Sequence, residues 1–198
     1  MNGNIFYYCN MKKRVYKSGN GMIETERLVL RPWREEDADA LFKYGSDPDV
    51  GPIAGWSVHT SVENSLEVIH NVFSTPETYA VVLKGTDEPV GCCGLVIADG
   101  LNMASMKEGE AEIGYWIGKP FWGRGYIPEA VEALLVRGFK ELGLETIWCG
   151  YYEGNIKSKR VCEKCGFTYH HTNKDVVSPL GDLRTEHFYK MRREEFES

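Results

Sequence analysis

The run Gly118–Ala130, GKPFWGRGYIPEA, constrains this chain more than any other stretch. It joins a strand-like segment, Ala111 to Gly118, to a long amphipathic helix through a short loop carrying Gly123 and Gly125. Without a Cβ, glycine lets such a loop curl its backbone N–H groups toward an anion. The first turn of the helix adds unpaired N–H donors and the positive end of its dipole. Pro128 suits that turn, since its missing donor costs nothing there. Glycines before a helix also arise for plain turn reasons. Two better-known phosphate loops are excluded. No Gly-Lys-Ser/Thr closes the run, and the three spaced glycines of a dinucleotide fingerprint are missing. What remains is a pyrophosphate cradle without a metal.

The 198 residues suit one domain built on a single core. A net charge of -6 speaks against a nucleic-acid partner and against docking on an anionic membrane, and is compatible with a cationic amine substrate. No apolar run approaches the ~20 residues of a membrane span. Met1 to Lys17 lacks an apolar core followed by a small-residue cleavage site, so it does not read as a secretory signal. Six cysteines in such a chain read as reduced thiols of a cytoplasmic protein. Cys162-Glu-Lys-Cys165 resembles half a zinc site, but no second Cys or His pair completes it, so no metal is expected.

Residues 1–21 are polar, carry Lys12, Lys13, Arg14 and Lys17, and end in Ser18-Gly-Asn-Gly21. They read as an N-terminal extension, with 22–198 forming the domain proper. Within it, strands are expected at Arg27–Trp33, Tyr79–Leu83, Val90–Ile97, Glu110–Gly118, Thr146–Tyr152, Phe167–Thr172 and Thr185–Met191. Helices are expected at Glu36–Tyr44, Ser61–Phe73, Pro128–Leu142 and Asn155–Cys165. Val131, Leu134, Leu135, Phe139 and Leu142 form an apolar stripe on the third. Asn155 reads as an N-cap, and Gly143 and Gly166 as stops. Strands outnumber helices and cluster in hairpins. The fold class is therefore mixed α/β (α+β), a single domain with a central, partly antiparallel sheet and about four flanking helices.

Five motifs follow one another in a recognisable order: Glu24-Thr-Glu-Arg27-Leu-Val-Leu-Arg-Pro32, Glu112-Ile-Gly-Tyr-Trp-Ile117, Trp122-Gly-Arg-Gly-Tyr126, Asn155-Ile-Lys-Ser158 and Glu163-Lys-Cys-Gly166-Phe167. On these the chain resembles the GNAT superfamily of acetyl-CoA-dependent N-acetyltransferases. Within it the chain resembles the branch of ribosomal-protein N-terminal acetyltransferases. The similarity runs from about Met22 to the end. It implies a twisted sheet splayed near its middle, with acetyl-CoA as co-substrate in the gap. It also implies that main-chain amides of Gly123, Arg124, Gly125, Tyr126 and Ile127 hold the pyrophosphate.

Acetyl transfer from a thioester to an amine has three requirements. The amine must be neutral, although a lysine-like amine has a pKa of about 10.4 and an α-amine of about 7.7–8.0. The carbonyl oxygen needs a donor as charge builds on it. The leaving sulfur, with a thiol pKa near about 8.5, benefits from a proton or hydrogen bond. Glu112 is the candidate base. Strand alternation puts Glu112, Gly114 and Trp116 on one face and Ala111, Ile113, Tyr115 and Ile117 on the other. Apolar neighbours would raise its pKa to a useful value. The resemblance gives the oxyanion donor as a backbone N–H near Trp116 or Ile117.

Two departures from the wider family stand out. Where many relatives carry a proton-donating Tyr, this chain has Cys162, and Ser158 stands where Ala is usual. The ribosomal-protein branch shares that serine, so the resemblance assigns Ser158 to the leaving thiolate and Cys162 to packing. Asn155 is assigned to the pantetheine arm as well as the cap. The phosphate loop opens on Trp122 rather than Gln or Arg, and Ile127 replaces a small residue, which brings bulk near the phosphates. Arg124 is a candidate phosphate contact or a solvated loop residue.

The leading reading is an acetyl-CoA-dependent amine N-acetyltransferase. A protein N-terminus and a small amine (polyamine, amino sugar or aminoglycoside) both stand as acceptors. Val50 to Thr60 and Asp99–Gly109 are the expected acceptor walls. An open groove between them favours a protein, a closed pocket a small molecule, and an acidic pocket a polycation. Trp56, Tyr79, Tyr115 and Tyr151 are candidate cleft residues or core, while His170 and His171 read as surface. From another class, the domain could bind acyl-CoA without turning it over. Monomer and homodimer both remain open.

Overall fold

The computed structural model describes residues 5–9, 14–19, 21–98 and 106–197, with the strands before residue 19 described by backbone alone. Among these residues ten strands form one sheet: β1 (Ile5–Cys9), β2 (Arg14–Gly19), β3 (Met22–Glu24), β4 (Leu28–Pro32), β5 (Thr78–Leu83), β6 (Pro89–Ile97), β7 (Glu110–Ile117), β8 (Thr146–Tyr152), β9 (Thr168–Val177) and β10 (Leu183–Arg192). The spatial order is β1-β2-β3-β4-β5-β6-β7-β8-β10-β9. The helices are α1 (Ala38–Gly45), α2 (Val62–Val68), α3 (Tyr126–Val136), α4 (Ile156–Lys164) and α5 (Arg193–Glu197). No helix of the described residues is long and apolar enough to cross a membrane.

Neighbouring strands run antiparallel except β7 and β8, which are parallel. A parallel pair needs a crossover, and α3 supplies it. The β7–β8 register covers only Glu110↔Thr146, Ala111↔Ile147 and Glu112↔Trp148. Beyond Glu112 the two strands part, β7 continuing to Ile117 and β8 to Tyr152.

Layer composition follows from what each element must cover. The main core lies between the sheet and α3, where Leu28, Leu30, Ile113, Leu134, Leu135 and Ile147 are fully buried. A smaller cluster on the opposite face packs Trp33, Leu41 and Ile69 onto Ala80, Val82 and Cys92. β6 carries apolar matter on both sides and is buried from Pro89 to Leu95. Farther along the sheet, Glu112, Gly114, Gly150 and Glu186 line a cleft instead of a core.

Several boundaries differ from those expected. α3 opens at Tyr126, ahead of Pro128, because Gly125 at φ +77° is its N-cap. It is buried nearly all round, including Glu129 and Glu132, rather than along one stripe, and ends in a wider turn at Arg137–Glu141. The closing strands are longer than Phe167–Thr172 and Thr185–Met191. Their polar ends, such as Asn173 and Asp175, hide strands that pair as far as Val177↔Leu183. α5 carries no periodic signal, yet Phe196 is buried against Phe139 at 5.2 Å between ring centroids. At the other end, β2 pairs with β3 and β1 with β2. Of the expected wall Asp99–Gly109, residues 99–105 lie outside the described residues.

Candidate active site

A cleft of about 1430 Å³ opens where β7 and β8 part. Glu112 is half-buried on its floor, opposite Val96 in the β6 register. Across β8, Glu186 of β10 faces the same point. A Cβ at Gly150 would lie 3.1 Å from Glu112 Oε1, 3.3 Å from Glu186 Oε1 and 3.3 Å from Phe188 Cε1, so the two carboxylates close in over this glycine and a side chain there would crowd them. Burial, and then the like charge of Glu186, push the Glu112 carboxyl up to about 7. Burial raises Glu186 as well. Sequence reasoning missed Glu186. Its sole signal is a carboxylate placed by alternation on the same face as Phe188, in a strand whose neighbours only the fold reveals.

Ser158 lies in the first turn of α4, where its N–H donates to the Asn155 side chain at 3.1 Å, so Asn155 is the N-cap. The Ser158 hydroxyl is 2.8 Å from Tyr115 Oη. Tyr115 also donates to the Ser158 carbonyl at 3.3 Å. Burial raises the Tyr115 phenol well above its ordinary value, which keeps it a neutral O–H. Cys162 is fully buried, its Sγ 3.2 Å from that of Cys149.

Backbone alternation along β7 fixes which amides face the gap. Ala98 N–H donates to Glu110 C=O at 3.0 Å, and Gly118 N–H donates to Val90 C=O at 2.8 Å. Even-numbered residues between them therefore turn their backbone groups toward β6, and Ile113, Tyr115 and Ile117 turn theirs toward β8. Of the two expected oxyanion donors, the Ile117 amide faces the gap. The Trp116 amide does not, because it belongs to the β6 ladder.

At the outer end of β7 the glycine loop leads into α3. The first helical bond runs from Glu129 N–H to Gly125 C=O at 3.3 Å, which leaves the amides of Gly123, Arg124, Gly125, Tyr126 and Ile127 for a ligand. Gly123 and Gly125 take φ of +74° and +77°, where glycine is favoured. Ile127 turns its side chain into the core, so its bulk is not above the loop as expected. Trp122 donates its indole N–H to Ile117 C=O at 2.8 Å, and Lys157 stands over its ring at 3.9 Å. Arg124 is exposed. Beneath the loop, Arg27 donates to the carbonyls of Arg124 and Gly125 at 3.0 and 3.2 Å and to buried Glu129 at 2.7 Å.

The segment Gly51–His59 crosses the open face. Trp56 packs edge-on against Trp116 at 5.9 Å. Gly55 sits so close to Tyr152 that a Cβ would be 2.5 Å from its ring. Pro52 C=O accepts a hydrogen bond from Arg184 Nη1 at 2.7 Å. Trp56, Tyr115 and Tyr151 line the cleft, whereas Tyr79 is buried and donates to Glu77. His170 and His171 are bonded to each other, outside the cleft lining.

Residues 27–168 match the family described as "Acetyltransferase (GNAT) domain". The N-acetyltransferase p20 of Bacillus licheniformis, named as uncharacterised, is 30% identical over 177 residues, covering 87% of this chain and 96% of that protein. YdaF of Bacillus subtilis, provisionally named a ribosomal N-acetyltransferase, is 33% identical over 105 residues, covering 53% of this chain and 56% of its own length. Among solved structures, a GNAT-family acetyltransferase from Bacillus anthracis superposes with a TM-score of 0.77 at 27% identity, covering 88% of this chain and 99% of that one.

Proposed function

This chain belongs to the acetyltransferase (GNAT) family, and we propose that it transfers the acetyl group of acetyl-CoA to a primary amine with Glu112 as base. The observation that carries this reading is the end of β7–β8 pairing at Glu112, which opens a gap between the phosphate loop and a carboxylate of raised pKa. The free amides from Gly123 to Ile127 suit a pyrophosphate, and exposed Arg124 adds a charge-assisted contact. Asn155 reaches the pantetheine arm from the head of α4.

Glu112 takes a proton from the amine, directly or through one water, as the nitrogen lone pair attacks the acetyl carbon. The Ile117 N–H receives the charge that builds on the carbonyl oxygen. Ser158 donates a hydrogen bond to the sulfur as the C–S bond breaks and its electron pair leaves with CoA.

The test is CoA release by the full chain across a panel of amines and peptides with acetyl-CoA in excess. Amine-dependent release that Glu112→Gln lowers by about 100-fold at neutral pH supports the reading. Binding of acetyl-CoA with no release for any amine would leave a non-catalytic acyl-CoA-binding domain.

A further inference from the structure

The segment Gly51–His59 is a strap across the sheet face that holds the two carboxylates. It is fastened to β7 through Trp56 on Trp116, to β8 through Gly55 on Tyr152, and to β10 through Pro52 C=O on Arg184. A groove open at both ends, able to pass a polypeptide, would need that strap lifted. The strap roofs the cleft, and its floor is open above Gly114, where a Cβ would meet nothing within 4 Å, while at Gly150 the two carboxylates close in over the bare backbone.

The pocket joins two opposed surfaces. Its floor carries Glu112 and Glu186, whose Oε1 atoms lie 3.1 and 3.3 Å from one point above Gly150. Its flanks carry Ile53, Val72, Val96 and Ile97, each 36 to 54% exposed. These are unusual positions for large apolar side chains to meet water, and all four border one cleft. Val96 is the cross-strand partner of Glu112, so apolar wall and carboxylate meet at the point of chemistry. A polyamine would need further anionic groups along its length, and a polyhydroxylated amino sugar would leave its hydroxyls against valine and isoleucine.

Building on the acetyltransferase reading, we propose that the acceptor is a small amphipathic primary amine. Its ammonium enters between Glu112 and Glu186, and its alkyl or aryl body rests on Ile53, Val72, Val96 and Ile97. The ammonium gives one proton to Glu112, the neutral nitrogen attacks the acetyl carbon, the C–S bond breaks with its electron pair on sulfur, and the nitrogen's second proton passes to that thiolate to leave CoA as the thiol, while Glu186 remains as the counter-charge that positions the head group.

The experiment measures kcat/KM for CoA release by the full chain with 2-phenylethylamine, isoamylamine, ethylamine, spermidine, glucosamine and a heptapeptide with a free N-terminus. The two apolar amines are expected to exceed spermidine, glucosamine and the peptide by about tenfold or more. Val96→Ser, a surface change that leaves the core intact, should lower kcat/KM for the apolar amines about tenfold more than for ethylamine. Glu186→Gln should raise the amine KM about tenfold without moving the acetyl-CoA KM. Equal or better turnover of spermidine, glucosamine or the peptide overturns this acceptor class while the transferase reading stands. An apolar preference that Val96→Ser leaves untouched overturns it too. Absence of release with every amine removes both.

Discussion

Tyr115 Oη lies 2.8 Å from Ser158 Oγ, so the hydroxyl assigned to the leaving sulfur has a partner from the neighbouring strand. If Tyr115 donates to Ser158 Oγ, the Ser158 proton is free to point into the cleft. Tyr115 Oη also lies 3.3 Å from the Ser158 carbonyl, and burial keeps the phenol protonated, so its one O–H stays available to Ser158. Tyr115→Phe removes the phenol's hydrogen bonds to the Ser158 hydroxyl and carbonyl alike. It should lower kcat about fivefold and leave the acetyl-CoA KM unchanged, against about 50-fold for Ser158→Ala. The double variant should be no slower than Ser158→Ala alone, because Tyr115 acts through the serine. Steady-state kinetics on the four proteins checks this, and additive losses would separate the two residues.

The raised carboxyl of Glu112 sets a pH limb. Only its ionised form accepts a proton, so kcat/KM should rise with pH through about 7 and then level. Glu186→Gln removes the like charge beside it and should move the limb to lower pH. Burial, the larger cause, keeps it above the ordinary value of about 4.3. Comparing the two proteins with one amine cancels the amine's own titration. A limb that does not move would mean that Glu186 has no electrostatic hold on the base.

The same shift sets a cost in stability. The folded state holds the Glu112 proton more tightly than the unfolded chain does. Stability therefore falls as pH rises from the unfolded carboxyl range through about 7. Allowing for its partial exposure, Glu112→Gln should stabilise the protein by about 2 kcal/mol at pH 8 and by almost nothing at pH 4. Urea unfolding at the two pH values measures the difference. Equal effects at both would show that the gain is not electrostatic.

The contrast between Glu112 and Glu186 shows what was legible before the fold. Glu112 stands in a strand motif directly ahead of the glycine loop, so local pattern marks it. Glu186 lies far along the chain, and only the β8–β10 register brings it over Gly150, beside Glu112. The glycine loop and the Asn155 cap beside Ser158 are legible because each sits at a strand–helix or loop–helix junction with its own turn chemistry. Tyr115 was ambiguous because an aromatic in a strand packs in most cases, and its bond to Ser158 depends on where α4 lands. Ile127 was misread because a helix starting at Tyr126, two residues early, turns that side chain inward.

Arg27 ties the first turn of α3 to the loop that precedes it. Burial pushes the Glu129 carboxyl up, but hydrogen bonds from Thr25 and from the Arg27 backbone and guanidinium outweigh it and hold it below its ordinary range. The rest of the guanidinium holds the Arg124 and Gly125 carbonyls, the second of which also accepts the first helical bond from Glu129 N–H. Arg27→Ala should therefore do two separate things. It leaves a buried carboxylate with two neutral donors, which costs about 2 kcal/mol given the partly exposed arginine. It also frees the Arg124 carbonyl and loosens the loop beneath the amides, which should raise the acetyl-CoA KM about tenfold with kcat little changed. Arg27→Lys keeps the charge near Glu129 but cannot span both carbonyls, so it should restore most of the stability and little of the affinity. Urea midpoints and acetyl-CoA KM for both variants decide the matter. If stability and affinity recover together in the lysine variant, the fork geometry is irrelevant and the arginine serves only as a charge.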